Sequence, residues 1–163
     1  MFLRLADAGD GVLLLDALYE AFNWTGVESF SREQLLAVPH ISHYVDGWQR
    51  DSDFGVVAMG TDGEPLGAAW CRLFKEADGG YGFVAEDIPE LTMAVFPGSR
   101  GQGVGTRLLY SVLDVARDSG HAAVSLSVED ENAARRLYRS AGFTAVGRSG
   151  GSDTMVASVT SSP

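Results

Sequence analysis

The chain has 163 residues, 45% of them hydrophobic and 21% charged, with a formal net charge of −10 at pH 7. That size and balance predict one soluble globular domain over 1–160 with a frayed tail at 161–163. No apolar run approaches the ~20 residues of a membrane span. The acidic excess disfavours nucleic acid and favours cationic partners.

"MFLRLA" reads as a first strand, with no basic region leading into an apolar stretch as a secretory signal would have. "GDGVLLLDALYEAF" follows with Val12, Leu15, Leu18, Tyr19 and Phe22 at amphipathic-helix spacing. Ser31 and Gln34 form a capping-box pair that predicts a second helix, ending before Pro39. His40 and His43 lack a third ligand nearby, so no metal site is expected. "FGVVAMG" and "PLGAAWCRLF" flank "TDGE", whose Asp62-Gly63 step is a hairpin signal. Cys71, the single cysteine, excludes an internal disulfide and suits a reducing cytoplasm.

"KEADGGYGFVAEDIP" is Gly-rich, acidic and aromatic, and reads as a loop. "ELTMAVF" is a strand closed by Pro97, and a long helix is predicted from about Val104 to Ser119. Leu108, Leu109, Val112 and Val115 are its apolar stripe and Gly120 its stop. "AAVSLSV" alternates as a strand, "ENAARRLYRSA" is helical, and Gly142 ends it. "FTAVGR" and "TMVASV" complete the order as a hairpin around "SGGSD", and the polar "SVTSSP" is expected to fray.

Between strand and long helix lies "RGQGVGTRLL", with glycines at 101, 103 and 105. N–H groups at a helix N-terminus lack intrahelical partners, and the helix dipole adds partial positive charge. Bare backbone there, behind Arg100, suits a phosphorylated ligand, and a diphosphate is expected. A Walker loop would need Lys-Ser/Thr where Thr106-Arg107 stand. A Rossmann fingerprint needs G-x-G-x-x-G, and this spacing differs, although Glu129 falls where its acidic residue would sit.

"LTMAVFPGSRGQGVGTRLL", "SLSV" and "ENAARRLYRSAGF" together resemble the GNAT superfamily of N-acetyltransferases. The phosphate loop R/Q-x-x-G-x-G/A is matched by Arg100, Gly103 and Gly105. The downstream signature is matched by Asn132, Leu137, Tyr138, Gly142 and Phe143. The resemblance is specific from about Leu91 to Gly147. It implies a mixed α/β fold of GNAT acyl-CoA N-acyltransferase type, with a central twisted sheet of about seven strands flanked by about four helices.

It also implies acetyl-CoA as co-substrate, lying where "LTMAV" and "AVSLSV" splay apart. Main-chain groups of Met93, Ala94 and Val95 would meet the pantetheine arm and offer one N–H to the thioester carbonyl. Gly101, Gln102, Gly103, Val104, Gly105 and Thr106, with Arg100, would hold the diphosphate. Asn132 would contact the pantetheine arm, although it stands one residue closer to Tyr138 than is commonest in the family. Tyr138 takes the general-acid position. Glu90 is favoured as base, then Glu86, with Asp87 close by. Ser127 stands where relatives acting on ribosomal-protein N-termini carry glutamate, which weakens a protein N-terminus as acceptor. Phe22, Asn23, Trp24, Tyr81, Phe83, Ser152 and Asp153 are candidates for the acceptor pocket, aromatics and carboxylate suiting a cationic amine.

The resulting expectation is direct acetyl transfer to a small-molecule amine, with a peptide or protein amine second. A non-catalytic acyl-CoA sensor and a dinucleotide-binding module remain as other readings. Dimers are frequent among relatives, so a homodimer is open.

Overall fold

The computed structural model describes residues 1–160. The tail at 161–163 lies outside them. Seven strands form one sheet: β1 (Phe2–Leu5), β2 (Phe54–Met59), β3 (Pro65–Arg72), β4 (Glu90–Val95), β5 (Ala123–Glu129), β6 (Thr144–Ser149) and β7 (Ser152–Ser158). Their spatial order is β1-β2-β3-β4-β5-β7-β6. Every neighbouring pair is antiparallel except β4 and β5. The five helices are α1 (Gly11–Phe22), α2 (Arg32–Ala37), α3 (Pro39–Ser42), α4 (Val104–Asp118) and α5 (Ala134–Ser140). The mixed sheet is as the sequence led us to expect, and the order of elements departs from it by one helix, α3, which Pro39 opens directly after α2 ends.

Alternation along the central strands explains why both faces are covered. Val57, Ala68 and Trp70 point to one apolar layer, with Leu14, Leu18, Leu35 and Ile41 of α1 to α3. Val56, Ala58, Ala69 and Cys71 point to the other, with Leu108, Leu109 and Val112 of α4 and Phe143. On α1 the buried residues are Leu14, Ala17 and Leu18, and Val12 is 75% exposed, so the stripe is rotated from the one proposed. On α4 the stripe also takes in Leu113 and Ala116, while Val115 is half-buried. α5 starts only at Ala134, and Asn132 stands just ahead of it, its Oδ1 accepting from the Ala134 N–H at 3.0 Å. The "SVT" portion of the expected fray is tied down instead. Ser158 ends β7, and the buried Val159 donates its N–H to the Ala122 carbonyl at 2.9 Å.

The capping box at α2 is formed as read. Gln34 N–H donates to Ser31 Oγ at 3.1 Å, and Ser31 N–H donates to Gln34 Oε1 at 2.8 Å. Ser31→Ala is expected to cost about 1 kcal/mol, read as a lower urea midpoint. An unchanged midpoint would mean that α2 does not depend on its cap.

One buried feature had no sequence signal. Arg72 is 1% exposed and pairs with Asp53 through Nε (3.0 Å) and a second nitrogen (2.9 Å). It also donates to the carbonyls of His43 (2.7 Å) and Asp46 (2.6 Å), pinning the segment after α3 against β3. A buried guanidinium needs this full set of partners, since desolvating an unpaired charge costs several kcal/mol.

Candidate functional site

β4 and β5 share a single register pair, Glu90 with Ser125. Beyond it the strands part, and alternate residues of β4 present main-chain groups to the gap rather than to a neighbour. The gap is a cleft of about 790 Å³, bounded by β4, β5, the 99–106 loop, α5 and the end of α1.

At one end of the cleft stands the N-terminus of α4. Gly103 caps it with φ 81°, a left-handed conformation that side chains rarely adopt, and the N–H groups of the first turn face away from any helical partner. A Cβ at Gly103 would meet nothing within 4 Å, so the backbone is bare towards the opening. Gly105, Val104 and Thr106 line the same end. This is an anion-binding geometry of amides and dipole. Arg100 lies on the wall, its Nε donating to the Val95 carbonyl at 3.0 Å and its Nη2 to Glu20 Oε2 at 3.1 Å. Part of its charge is therefore spent on α1.

At the other end sits Glu90, 2% exposed. Burial raises its carboxyl to about 7, against the pull of the Tyr44 hydroxyl and the Gly82 amide. Oε1 accepts from the Gly82 N–H. The Gly79–Phe83 loop lies directly upon the carboxylate. A Cβ on Gly82 would come within 2.5 Å of the Leu126 carbonyl carbon and 2.6 Å of Glu90 Oε1, so only glycine allows that approach. Tyr138 lines the cleft from α5, packed edge-on to Phe143 at 5.8 Å. Burial pushes its phenol up to about 12, so it stays protonated.

Of the residues singled out in the sequence, the cleft gathers Phe22, Trp24, Tyr81, Glu90, Met93, Ala94, Val95, Arg100, Gly101, Gly103, Val104, Gly105, Thr106, Asn132, Tyr138 and Ser152. Others stand elsewhere. Glu86 accepts from the Glu76 N–H at 2.8 Å and pairs with Lys75 at 3.7 Å, on the surface and away from the cleft. Asp87 is exposed and also outside it. Gln102 turns back to donate to the Gly98 carbonyl at 3.1 Å. Phe83 packs into the apolar layer under α1 to α3. Asp153 is clamped by Arg135 and Arg148, the latter at 2.7 Å, so its charge is already used. Asn23 spends its side chain on the loop after α1, binding the carbonyls of Tyr19 and Phe30 and the amides of Ser29 and Phe30.

Sequence reading missed Glu20, Phe30 and Tyr44, which line the cleft, and noted Glu129 only against a Rossmann fingerprint, although it lines the cleft too. The Trp24 indole N–H donates to Glu129 Oε2 at 3.1 Å, joining the loop after α1 to the end of β5 across the opening. Glu131, beside it on the rim, holds φ 66°, the one left-handed non-glycine among the described residues.

Comparison with known proteins bears on this arrangement. A 57-residue stretch is 49% identical to an uncharacterized protein of Mycobacterium leprae, covering 34% of this chain and 15% of the relative. Among solved structures, YncA, a putative acetyltransferase from Salmonella typhimurium with its cofactor acetyl-CoA, superposes with a TM-score of 0.68 at 23% identity. That match covers 100% of this chain and 96% of YncA. A ribosomal-protein-alanine N-acetyltransferase from Brucella melitensis gives 0.65 at 24% identity over 96% of this chain and 97% of its own. A spermidine N-acetyltransferase chimera from Vibrio cholerae gives 0.66 at 17% identity over 97% and 95%. These likenesses show the fold. The profile of the acetyltransferase (GNAT) family matches residues 15–143, and the chain belongs to that family.

Proposed function

We propose that this protein is an acetyl-CoA-dependent N-acetyltransferase that transfers directly to the primary amine of a small molecule in the cytoplasm. The observation that carries the reading is one cleft with a bare helix N-terminus at one end and a buried carboxylate of pKa about 7 at the other. The residues present fit the co-substrate. Amides between Gly101 and Thr106 would hold its diphosphate, and unpaired main-chain groups of β4, beside Met93, Val95 and Leu137, would hold the pantetheine arm. When bound, acetyl-CoA supplies the activated acyl group. An amide N–H of β4 would polarise the carbonyl under attack.

Two protons have to move. An alkyl ammonium of pKa ~10 must lose one before it can attack. Glu90, raised to about 7, is half ionised at neutral pH and is the cleft's candidate base. Tyr138 keeps its proton at every working pH and is the candidate donor to the leaving sulfur. Burial moves both groups upward, yet it leaves one able to accept and the other able to donate. Phe22, Phe30, Tyr44 and Tyr81 wall the end near Glu90, and Trp24 lines the opening beside Glu129. Aromatic faces with a carboxylate suit a cationic amine of modest size.

A screen of free CoA release over amines, amino acids and peptides tests the reading. Release with a small amine supports it, and binding of acetyl-CoA without release under any amine would favour a sensor. Tyr138→Phe is expected to lower kcat about ten- to a hundredfold with acetyl-CoA affinity nearly unchanged. No hydrogen bond among the described residues engages the hydroxyl, and Phe preserves the contact with Phe143, so stability should hold. Unaltered kcat would remove Tyr138 from the chemistry.

A further inference from the structure

The two oxygens of Glu90 are served unequally. Oε1 accepts from the Gly82 amide, while Oε2 is buried without a hydrogen-bond partner among the described residues. Two hydroxyls are candidates to serve it. Ser125, paired with Glu90 across the strands, has an Oγ equally buried and equally without a partner. The other is Tyr44, 5% exposed and part of the cleft wall. A Cβ on Gly80 would lie 2.0 Å from Glu90 Oε2 and 2.4 Å from Tyr44 Oη, so the two oxygens flank one point.

Tyr44 is held far more firmly than Ser125. Trp70 Nε1 donates to its carbonyl at 2.9 Å, and Arg72 grips the carbonyls of His43 and Asp46 on either side. The Tyr44 hydroxyl accepts from the Tyr81 N–H at 2.8 Å. With that lone pair used, its own proton must point elsewhere, and Glu90 is the acceptor alongside.

Burial is the largest influence on Glu90, and among the groups that oppose it the Tyr44 hydroxyl comes first. From β3, Arg72 is spent on Asp53, and burial keeps the Cys71 thiol protonated. His43, whose ring lies 4.6 Å from that of Tyr44, is driven neutral by burial despite its contact with Asp78. The Gly79–Phe83 loop contributes the Gly82 amide and the neutral phenol of Tyr81, and β5 contributes Ser125. Burial and then the Glu90 charge push the Tyr44 phenol well above its usual range, so it remains a donor.

We propose that Tyr44 is a positioning residue that takes the Tyr81 amide on its hydroxyl oxygen and gives its proton as a hydrogen bond to Glu90 Oε2. The bond keeps the proposed base ionised near neutrality and ties its ionisation to the loop that roofs it. The inference rests on the acetyltransferase reading only for its effect on rate.

The experiment is a carbon-13 titration of the Glu90 carboxyl in the free protein, beside pH profiles of kcat/KM. In Tyr44→Phe the Glu90 midpoint should rise by about one pH unit, because a donor to the charged form has been removed. The acidic limb of kcat/KM should rise with it, giving about fivefold lower activity at pH 7 and recovery near pH 9. Ser125→Ala should leave the midpoint within a few tenths. In the unaltered protein the Tyr44 Cζ resonance should follow the Glu90 midpoint, a reading that needs no variant. A midpoint unmoved by Tyr44→Phe, one moved by Ser125→Ala instead, or a Cζ signal blind to Glu90 overturns the proposal. Glu90→Gln separates the two ideas. If it keeps the acidic limb, the base assignment fails, while the carboxyl titration still decides the role of Tyr44.

Discussion

Glu90→Gln is expected to lower kcat at pH 7 by a hundredfold or more while acetyl-CoA binding is unchanged. The carboxyl lies at the closed end of the cleft, remote along β4 from the N-terminus of α4, so its loss should not disturb the diphosphate contacts. If Glu90 is the base, as proposed, the active form of the unaltered protein is the carboxylate. Activity should therefore fall as pH drops through about 7, and the glutamine variant should lose that dependence. Stability should move the other way. Glu90 has a folded pKa of about 7, above its ordinary 4.5, so the folded state binds the proton more tightly than the unfolded state does. Its contribution is fully present below pH 4.5 and is lost as pH rises through 7. Above pH 7 the variant, with no charge to bury, should melt at a higher temperature than the parent. A variant with full activity, or one less stable at pH 8, would contradict this account of the carboxyl.

Gly103→Asp is expected to weaken acetyl-CoA binding at least a hundredfold with little change in stability. Aspartate is among the few residues that tolerate φ 81°, and a Cβ there meets nothing within 4 Å, so the fold should accept it. The added carboxylate would stand where the amides are proposed to meet a diphosphate, and like charges at short range are strongly repulsive away from bulk water. Gly103→Asn has nearly the same shape and no charge, and should retain most of the affinity. Equal losses in both variants would point to shape rather than charge. No loss in either would place the co-substrate elsewhere.

How much of this was legible in the sequence follows from the range of the interactions. Elements governed by local chemistry were readable: the Ser31–Gln34 cap, the Asp62-Gly63 hairpin, the glycine stops and the alternation of β5 all lie within a few residues. The glycine-rich entry to α4 was readable because its geometry is confined to Arg100–Thr106. Contacts between distant segments were not. Tyr44 reaches Glu90 only because Arg72 pins residues 43–46 to β3, a fact that no spacing announces. Glu86 and Glu90 are both acids near one strand. Only the fold turns one to the surface, against Lys75, and buries the other under Gly82. Asp153 carried the right charge for an amine, and two arginines from α5 and β6 had already claimed it. "KEADGGYGFVAEDIP" read as a loop, but no spacing announced that Gly82 within it is a close-packed contact with β5 and Glu90.

The most direct measurement follows backbone amide resonances as acetyl-CoA is added to the nitrogen-15-labelled protein. The N–H signals of Gly101 to Thr106 should move downfield together and saturate with the binding isotherm, with smaller changes along Met93–Val95. Shifts confined to other surfaces, with these amides silent at saturation, would contradict the cofactor site and the acyl-transfer chemistry built on it.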